Sequence, residues 1–163
     1  MIAKIVSRTK ERCRRHVLVA HMVCLTVLVT IGVRADQPGI HDMPRVGIEV
    51  AGQVFNVRLA DSPAHRAVGF QHVAPDAMDG VAIYFAYDRA RKPVYHMRNV
   101  ARPLLIAWIV PDGTVHEVAR MEPGGRVYPA PVAVTGVLEF TASHRLAEVV
   151  RPGARVELPS GAR

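Results

Sequence analysis

The chain has 163 residues, enough for one domain with a substantial core behind a leader, and too few for two. Its 21 Lys and Arg against 14 Asp and Glu give a formal charge of +7, which taken alone points to nucleic acid. Seven of those basic residues and one acidic residue lie before Asp36, so the rest carries a net +1, and nucleic acid is excluded as a partner because a binding domain keeps its basic stripe in the folded part.

The first predicted element is a leader over residues 1–35. A basic segment runs to Arg15, and an apolar run follows from Val17 to Val33, broken by His21 and two Thr. Val33-Arg34-Ala35 then presents small residues where a signal peptidase reads the chain. This pattern predicts cleavage between Ala35 and Asp36 and a periplasmic or secreted mature protein. The alternative is an uncleaved anchor, the only membrane contact the sequence offers. A spanning helix wants roughly 20 apolar residues, and this run is at the short end. Arg14-Arg15-His16-Val17-Leu18 loosely matches a twin-arginine signal, so either export route stays open. Both cysteines, Cys13 and Cys24, sit in the leader. A mature chain without cysteine excludes thiol catalysis, disulfides and thiolate metal sites.

Residues 36–45, with Pro38, Gly39 and Pro44, read as a flexible lead-in. Residues 46–158 read as one β-rich domain, and 159–163 as a tail. Val46, Ile48 and Val50 alternate with other residues, as do Phe55, Val57 and Leu59 beyond Ala51-Gly52, which is a β-hairpin pattern. Ser62-Pro63 offers an N-cap and a first-turn proline for a short helix over Ala64 to Phe70. Val81 to Tyr87 and Leu104 to Val110 are near-continuous apolar runs suited to buried strands. Pro111-Asp112-Gly113 turns the second of these back into Thr114 to Met121. Glu122 to Gly125 reads as a loop, Val134 to Phe140 as a strand, and Ser143 to Val150 as a short helix. Arg151-Pro152-Gly153 leads to a last strand, Ala154 to Leu158. Many short strands with two short helices predict a mainly β fold, a small compact β-barrel or sandwich.

The central residues carry a resemblance. Tyr95-His96-Met97-Arg98-Asn99-Val100 is followed by Arg102-Pro103-Leu104-Leu105-Ile106 and then by Asp112-Gly113. Arg66-Ala67-Val68-Gly69-Phe70-Gln71 stands upstream, and Tyr128-Pro129-Ala130, Val137-Leu138-Glu139 and Gly153-Ala154 downstream. In this order the segments resemble the family known as domain of unknown function 192, whose hallmark is an aromatic-Trp-Met-Lys-Asn-Thr segment followed by Pro-Leu-Asp. The resemblance implies a compact β-barrel and little mechanism. Four positions depart from the family pattern: its Trp is His96, its Thr is Val100, its first-loop Met is Gln71, and its Asp after Pro-Leu is Leu105.

Candidate chemistry gathers around that segment. Arg98 and Asn99, on the loop between Val94 and Leu104, offer a guanidinium fork and an amide suited to a carboxylate or phosphate. The structural alternative has Asn99 capping the loop and Arg98 paired with Asp88 or Glu139. Arg66, His96, Tyr128 and Glu139 complete the candidate binding set, with Arg98 as the anchoring charge. His96 with Glu139 is also conceivable as an acid–base pair of a small enzyme. Six histidines and four methionines beyond the leader raise copper handling, but the nearest local pair, His41 and Met43, lies in the lead-in without a third ligand. The sequence therefore predicts an exported, non-catalytic binding or accessory module for a small anionic ligand or a periplasmic partner protein, with no cofactor and no metal. A small enzyme using His96 and Glu139 and a copper-binding protein stand as the alternatives.

Overall fold

The computed structural model describes residues 39–158. The leader, both cysteines, the Ala35–Asp36 cleavage point, residues 36–38 of the lead-in and the 159–163 tail lie outside the described residues.

The chain forms β1 (Arg45–Val50) and β2 (Gln53–Ala60), then α1 (Pro63–Val68), β3 (Ala82–Arg91) and β4 (Val94–Met97). It continues through β5 (Leu104–Ile109), β6 (Val115–Met121), β7 (Gly124–Pro129) and β8 (Val134–Phe140), and ends with α2 (Leu146–Val149) and β9 (Val156–Glu157). Seven strands form one sheet in the order β6-β5-β8-β3-β2-β1-β9, and β4 pairs with β7 in a separate two-stranded ribbon. All pairings are antiparallel except β2 with β3, where the connection through α1 brings the chain back in the same direction.

The sheet curls until its ends meet on one side. Val115 donates to the Ala154 carbonyl and accepts from Gly153, both at 2.8 Å, and Val156 donates to Gly113 at 2.9 Å. These bonds tie the start of β6 to the chain leading into β9, making a half-barrel and bearing out the barrel reading.

β5, β8 and the first half of β3 are buried on both faces, which is why β5 and the start of β3 read as apolar runs and not alternations. The inner face carries Tyr84, Ala107, Leu138 and Phe140 against Ile48, Val57 and Leu146. The outer face carries Ile83, Phe85, Ile106, Trp108 and Val137. That face is roofed by the segment after α1, by the ribbon residues Tyr95 and Met97, and by Ile40 and Met43.

Four expectations need correction. The lead-in is not flexible from Gly39 onward, because Ile40 and Met43 are 4% and 1% exposed and Arg58 binds the carbonyls of His41 and Met43. The segment after Val94 begins as a strand, and the expected loop at Glu122–Gly125 runs into β7, since the two segments pair with each other. The second helix is a single turn, with Leu146 inward. The hairpin is as expected, Ala51 and Gly52 turning it with φ of 52° and 76°. So is the first helix cap, where the Ser62 hydroxyl accepts from the His65 amide at 3.1 Å.

At one position the sheet tolerates only glycine. A Cβ at Gly136 on β8 would overlap the Tyr84 hydroxyl and approach its Cζ to 2.7 Å. Tyr84 is 4% exposed and has no room to swing aside. Gly136→Ala is therefore expected to destabilise the domain by about 1–3 kcal/mol, the range for overpacking a core. Urea unfolding of the two proteins measures it, and equal midpoints would disprove the contact.

Candidate functional site

On the outer face of the sheet, the segment after α1 and strand β4 do not quite meet. The gap is a cleft of about 270 Å³. Its rim includes Arg66 from α1 and His96 from β4, and its interior includes Phe85, Tyr87, Tyr95 and Glu139.

Glu139 is the residue that makes this cleft unusual. It sits on β8 between Ile83 of β3 and Ile106 of β5, and is only 4% exposed. β8 alternates Leu138 and Phe140 to the inner face, so Val137 and Glu139 share the outer one. Its carboxyl has no hydrogen bond or ion pair among the described residues. Burial pushes its pKa from 4.5 up to about 8, so it is chiefly protonated at neutral pH. Gly69 makes the close cover above it possible. Its φ of 51° with ψ of −131° suits glycine alone, and a Cβ there would lie 3.6 Å from Glu139 Oε2 and 3.5 Å from Phe85.

Beside the carboxyl, the hydroxyls of Tyr87 and Tyr95 bond each other at 2.8 Å. Tyr95 packs edge-on against Phe85 and Trp108, at centroid distances of 5.1 and 5.6 Å. Burial raises the pKa of both tyrosines, Tyr95 well above its ordinary value, and Arg66 and Glu139 act on both with opposite signs. Both charge-bearing groups are thus within electrostatic reach of the same pair of hydroxyls. Arg66 Nη1 donates to the carbonyls of Asp61, just after β2, and Ala86, within β3, which staples α1 to both strands. Its guanidinium, like that of Arg91, lies 5.4 Å from the Tyr87 ring centre. His96 is half-buried, and its Nδ1 is enclosed without a hydrogen-bond partner.

Of the sequence candidates, Arg66, His96 and Glu139 come together here, and Arg98, Asn99 and Tyr128 do not. Arg98 is exposed on the turn after β4 and pairs with neither Asp88 nor Glu139. Asn99 has a structural role. With φ of 60° it closes the turn, accepts from the His72 amide at 2.8 Å, and places its side-chain amide 3.3 Å from His72 Nε2. Tyr128 faces Tyr95 across the ribbon and accepts from the Glu122 amide at 2.9 Å, pinning the β6–β7 turn. No hydrogen bond joins His96 to Glu139, so the two do not form an acid–base pair in this geometry. Met43 is packed in the core while His41 is exposed. Among the described residues no three His, Cys, Asp or Glu side chains gather as metal ligands. Sequence reasoning missed Tyr87, Tyr95 and Gly69 as site residues. The available signal was the glycine three residues after Arg66 and the two tyrosines flanking the basic β3–β4 turn, Tyr87 within β3 and Tyr95 in β4.

A larger hollow of about 400 Å³ lies beside the Arg151–Gly153 turn. It holds neither of the two buried polar side chains of the described residues, Glu139 and Thr141.

The family model that matches is domain of unknown function 192, described as an uncharacterised ACR, over residues 46–158. No curated protein matches the chain. A crystal structure from Novosphingobium aromaticivorans, of unknown function, is 25% identical with a TM-score of 0.62, covering 72% of this chain and 88% of its own. A second, from Sinorhizobium meliloti, is described only provisionally as a transcription regulator. It is 22% identical with a TM-score of 0.61, covering 71% of this chain and 95% of its own, and shows likeness of fold alone.

The raised pKa of Glu139 has a consequence for stability. Between about 4.5 and about 8 the folded state keeps a proton that the unfolded state has lost, so stability falls as pH rises through this window. The slope is roughly 1.4 kcal/mol per pH unit from this one group. Urea unfolding at pH 5 and pH 8 should show wild type losing stability that Glu139→Gln retains. Parallel pH profiles for the two proteins would mean that the carboxyl has a partner.

Proposed function

The chain belongs to the family of domain of unknown function 192, and we propose that it is a non-catalytic binding module for a small anionic ligand. The site in this reading is the cleft between α1 and β4. One observation carries it: Glu139 is a buried carboxyl with no partner, opening onto the same cleft as the Arg66 guanidinium. A polar group without a protein partner completes its bonding with water or a ligand, and this one can do so only through the cleft. Near neutral pH the charge at the cleft is positive, since Glu139 is held protonated while Arg66 is always charged. Arg91 beside Tyr87 extends that field outward and favours the approach of an anion. In the same reading the leader exports the protein, and the mature chain works in the periplasm or outside the cell.

Titration calorimetry with phosphate, sulfate, acetate and benzoate tests the site. Arg66→Ala is expected to weaken binding of whichever anion is held by about ten- to a hundredfold, from roughly 1.5–3 kcal/mol for a charged hydrogen bond. Because Arg66 also staples α1, Arg66→Lys serves as the folded control and should recover only part of the affinity. Arg98→Ala should bind as wild type does. Loss of binding in Arg98→Ala with none in Arg66→Ala would move the site to the exposed turn and refute the cleft. Export is tested separately: N-terminal sequencing of exported protein should begin at Asp36, and a start at Met1 would overturn cleavage.

A further inference from the structure

We propose that the cleft takes a small monocarboxylate with an apolar body, its carboxylate received between the Arg66 guanidinium and the Glu139 carboxyl. This rests on the anion-site reading above and narrows it to a ligand class.

The donors available set the ligand's charge. The wall around Glu139 presents the Arg66 guanidinium and the carboxyl itself, and beside them the one O–H left over from the Tyr87–Tyr95 bond and the unpartnered His96 ring. Of these, the guanidinium and the carboxyl suffice for the two oxygens of a monoanion. A phosphate dianion wants more, usually backbone amides at a helix start or in a nest. Here the nearby backbone belongs to the end of a helix. The Gly69 amide is spent on the His65 carbonyl and the Gln71 amide on that of Val68.

The remaining wall sets the ligand's body. Phe70, Phe85, Met97, Val100 and Leu104 line the cleft, and none of them offers a side-chain hydrogen bond. A volume of about 270 Å³ holds roughly nine waters' worth of matter, the size of a short branched or aromatic acid. Such a ligand covers the apolar wall while its carboxylate meets the two donors.

An amine is the opposite case. It would need Glu139 ionised between Ile83 and Ile106, and would set its own charge beside Arg66. The charged and titratable groups facing the carboxyl are Arg66 from α1, Tyr87 from β3, and Tyr95 and His96 from β4. None is an acid that would share a cation. The sign of pH dependence separates the two cases. A carboxylate held by protonated Glu139 binds evenly below about pH 8 and loses affinity above it, whereas an amine gains affinity as Glu139 ionises. Both tyrosines are raised and stay protonated over that range.

The experiment is calorimetry on the full chain with four probes: 3-methylbutanoate, benzoate, inorganic phosphate and 3-methylbutylamine, from pH 7 to 9.5. The two carboxylates are expected to bind wild type at pH 7, with Kd rising toward tenfold per unit above pH 8. Glu139→Gln, its fold checked by circular dichroism, keeps an amide donor and should bind them with a flat profile. His96→Gln should keep the wild-type slope, which assigns the titration to Glu139 and not to the imidazole. Phosphate binding without carboxylate binding would overturn the ligand class and leave the anion site standing. So would a carboxylate profile identical in wild type and Glu139→Gln, which would remove the proton from the interaction. Binding of 3-methylbutylamine that tightens with pH, or no binding of any anion, would overturn the anion site as well.

Discussion

The constraint on which the rest of the structure depends is that β5, β8 and the first half of β3 have no face toward water. Their apolar runs place large side chains on both sides of the sheet, so both sides must be covered. Curling into a half-barrel covers the inner side, with Ile48, Val57 and Phe140 filling it. The outer side has no second sheet of comparable size. It is roofed piecemeal by Ile40 and Met43, by the segment after α1, and by the β4–β7 ribbon. A roof assembled from three chain segments has seams. The cleft is the seam between two of them, and Glu139 lies beneath it.

The burial of Glu139 follows from its strand position. Alternation along β8 sends Val137 and Glu139 to the same face, and the flanking strands supply Ile83 and Ile106. An ionised carboxylate there would be an uncompensated charge in an apolar setting, and the group responds by keeping its proton. Gly69 brings backbone down onto the carboxyl where any side chain would be strained. A fold selected for stability alone would do better with an apolar residue at 139, since replacing buried polar groups by well-packed apolar ones is often stabilising. The carboxyl and its tailored cover are therefore more readily understood as parts of a site than as parts of a core.

The legible parts of the sequence were those governed by local rules. Ser62-Pro63 specified a helix start through its own hydroxyl and ring, and Ala51-Gly52 specified a turn between two alternating segments. Two apolar runs, Val81 to Tyr87 and Leu104 to Val110, specified buried strands. The ribbon was not legible because β4 has four residues, and its pairing with β7 spans an intervening hairpin, so no local period announces it. The lead-in was misread for a similar reason: Ile40 and Met43 look sparse in the sequence, yet two apolar anchors and Arg58 suffice to fix it. The site was half legible. His96 and Glu139 were named for their chemistry and Arg66 through its segment, but charge density drew attention to Arg98. A turn exposes its polar residues whether or not they bind anything. Separating the exposed Arg98 from the cleft-lining Arg66 required knowing how α1 folds onto β3.

Arg66 shows why that distinction matters. One nitrogen of its guanidinium reaches two carbonyls, at Asp61 just after β2 and at Ala86 within β3. Those strands run parallel and are joined through α1, so the side chain fastens the crossover to the strands it connects. The remaining donors of the fork stay near the Tyr87 ring and the cleft. An ammonium is a single point of charge and cannot divide its donors in this way. Position 66 therefore joins support and charge: the bonds that hold the roof over the sheet also fix the positive charge at the edge of the seam. Glu139 is fixed just as firmly from below by its strand. Arg66 and Glu139 are thus held by different elements, α1 and β8, and do not pair with each other.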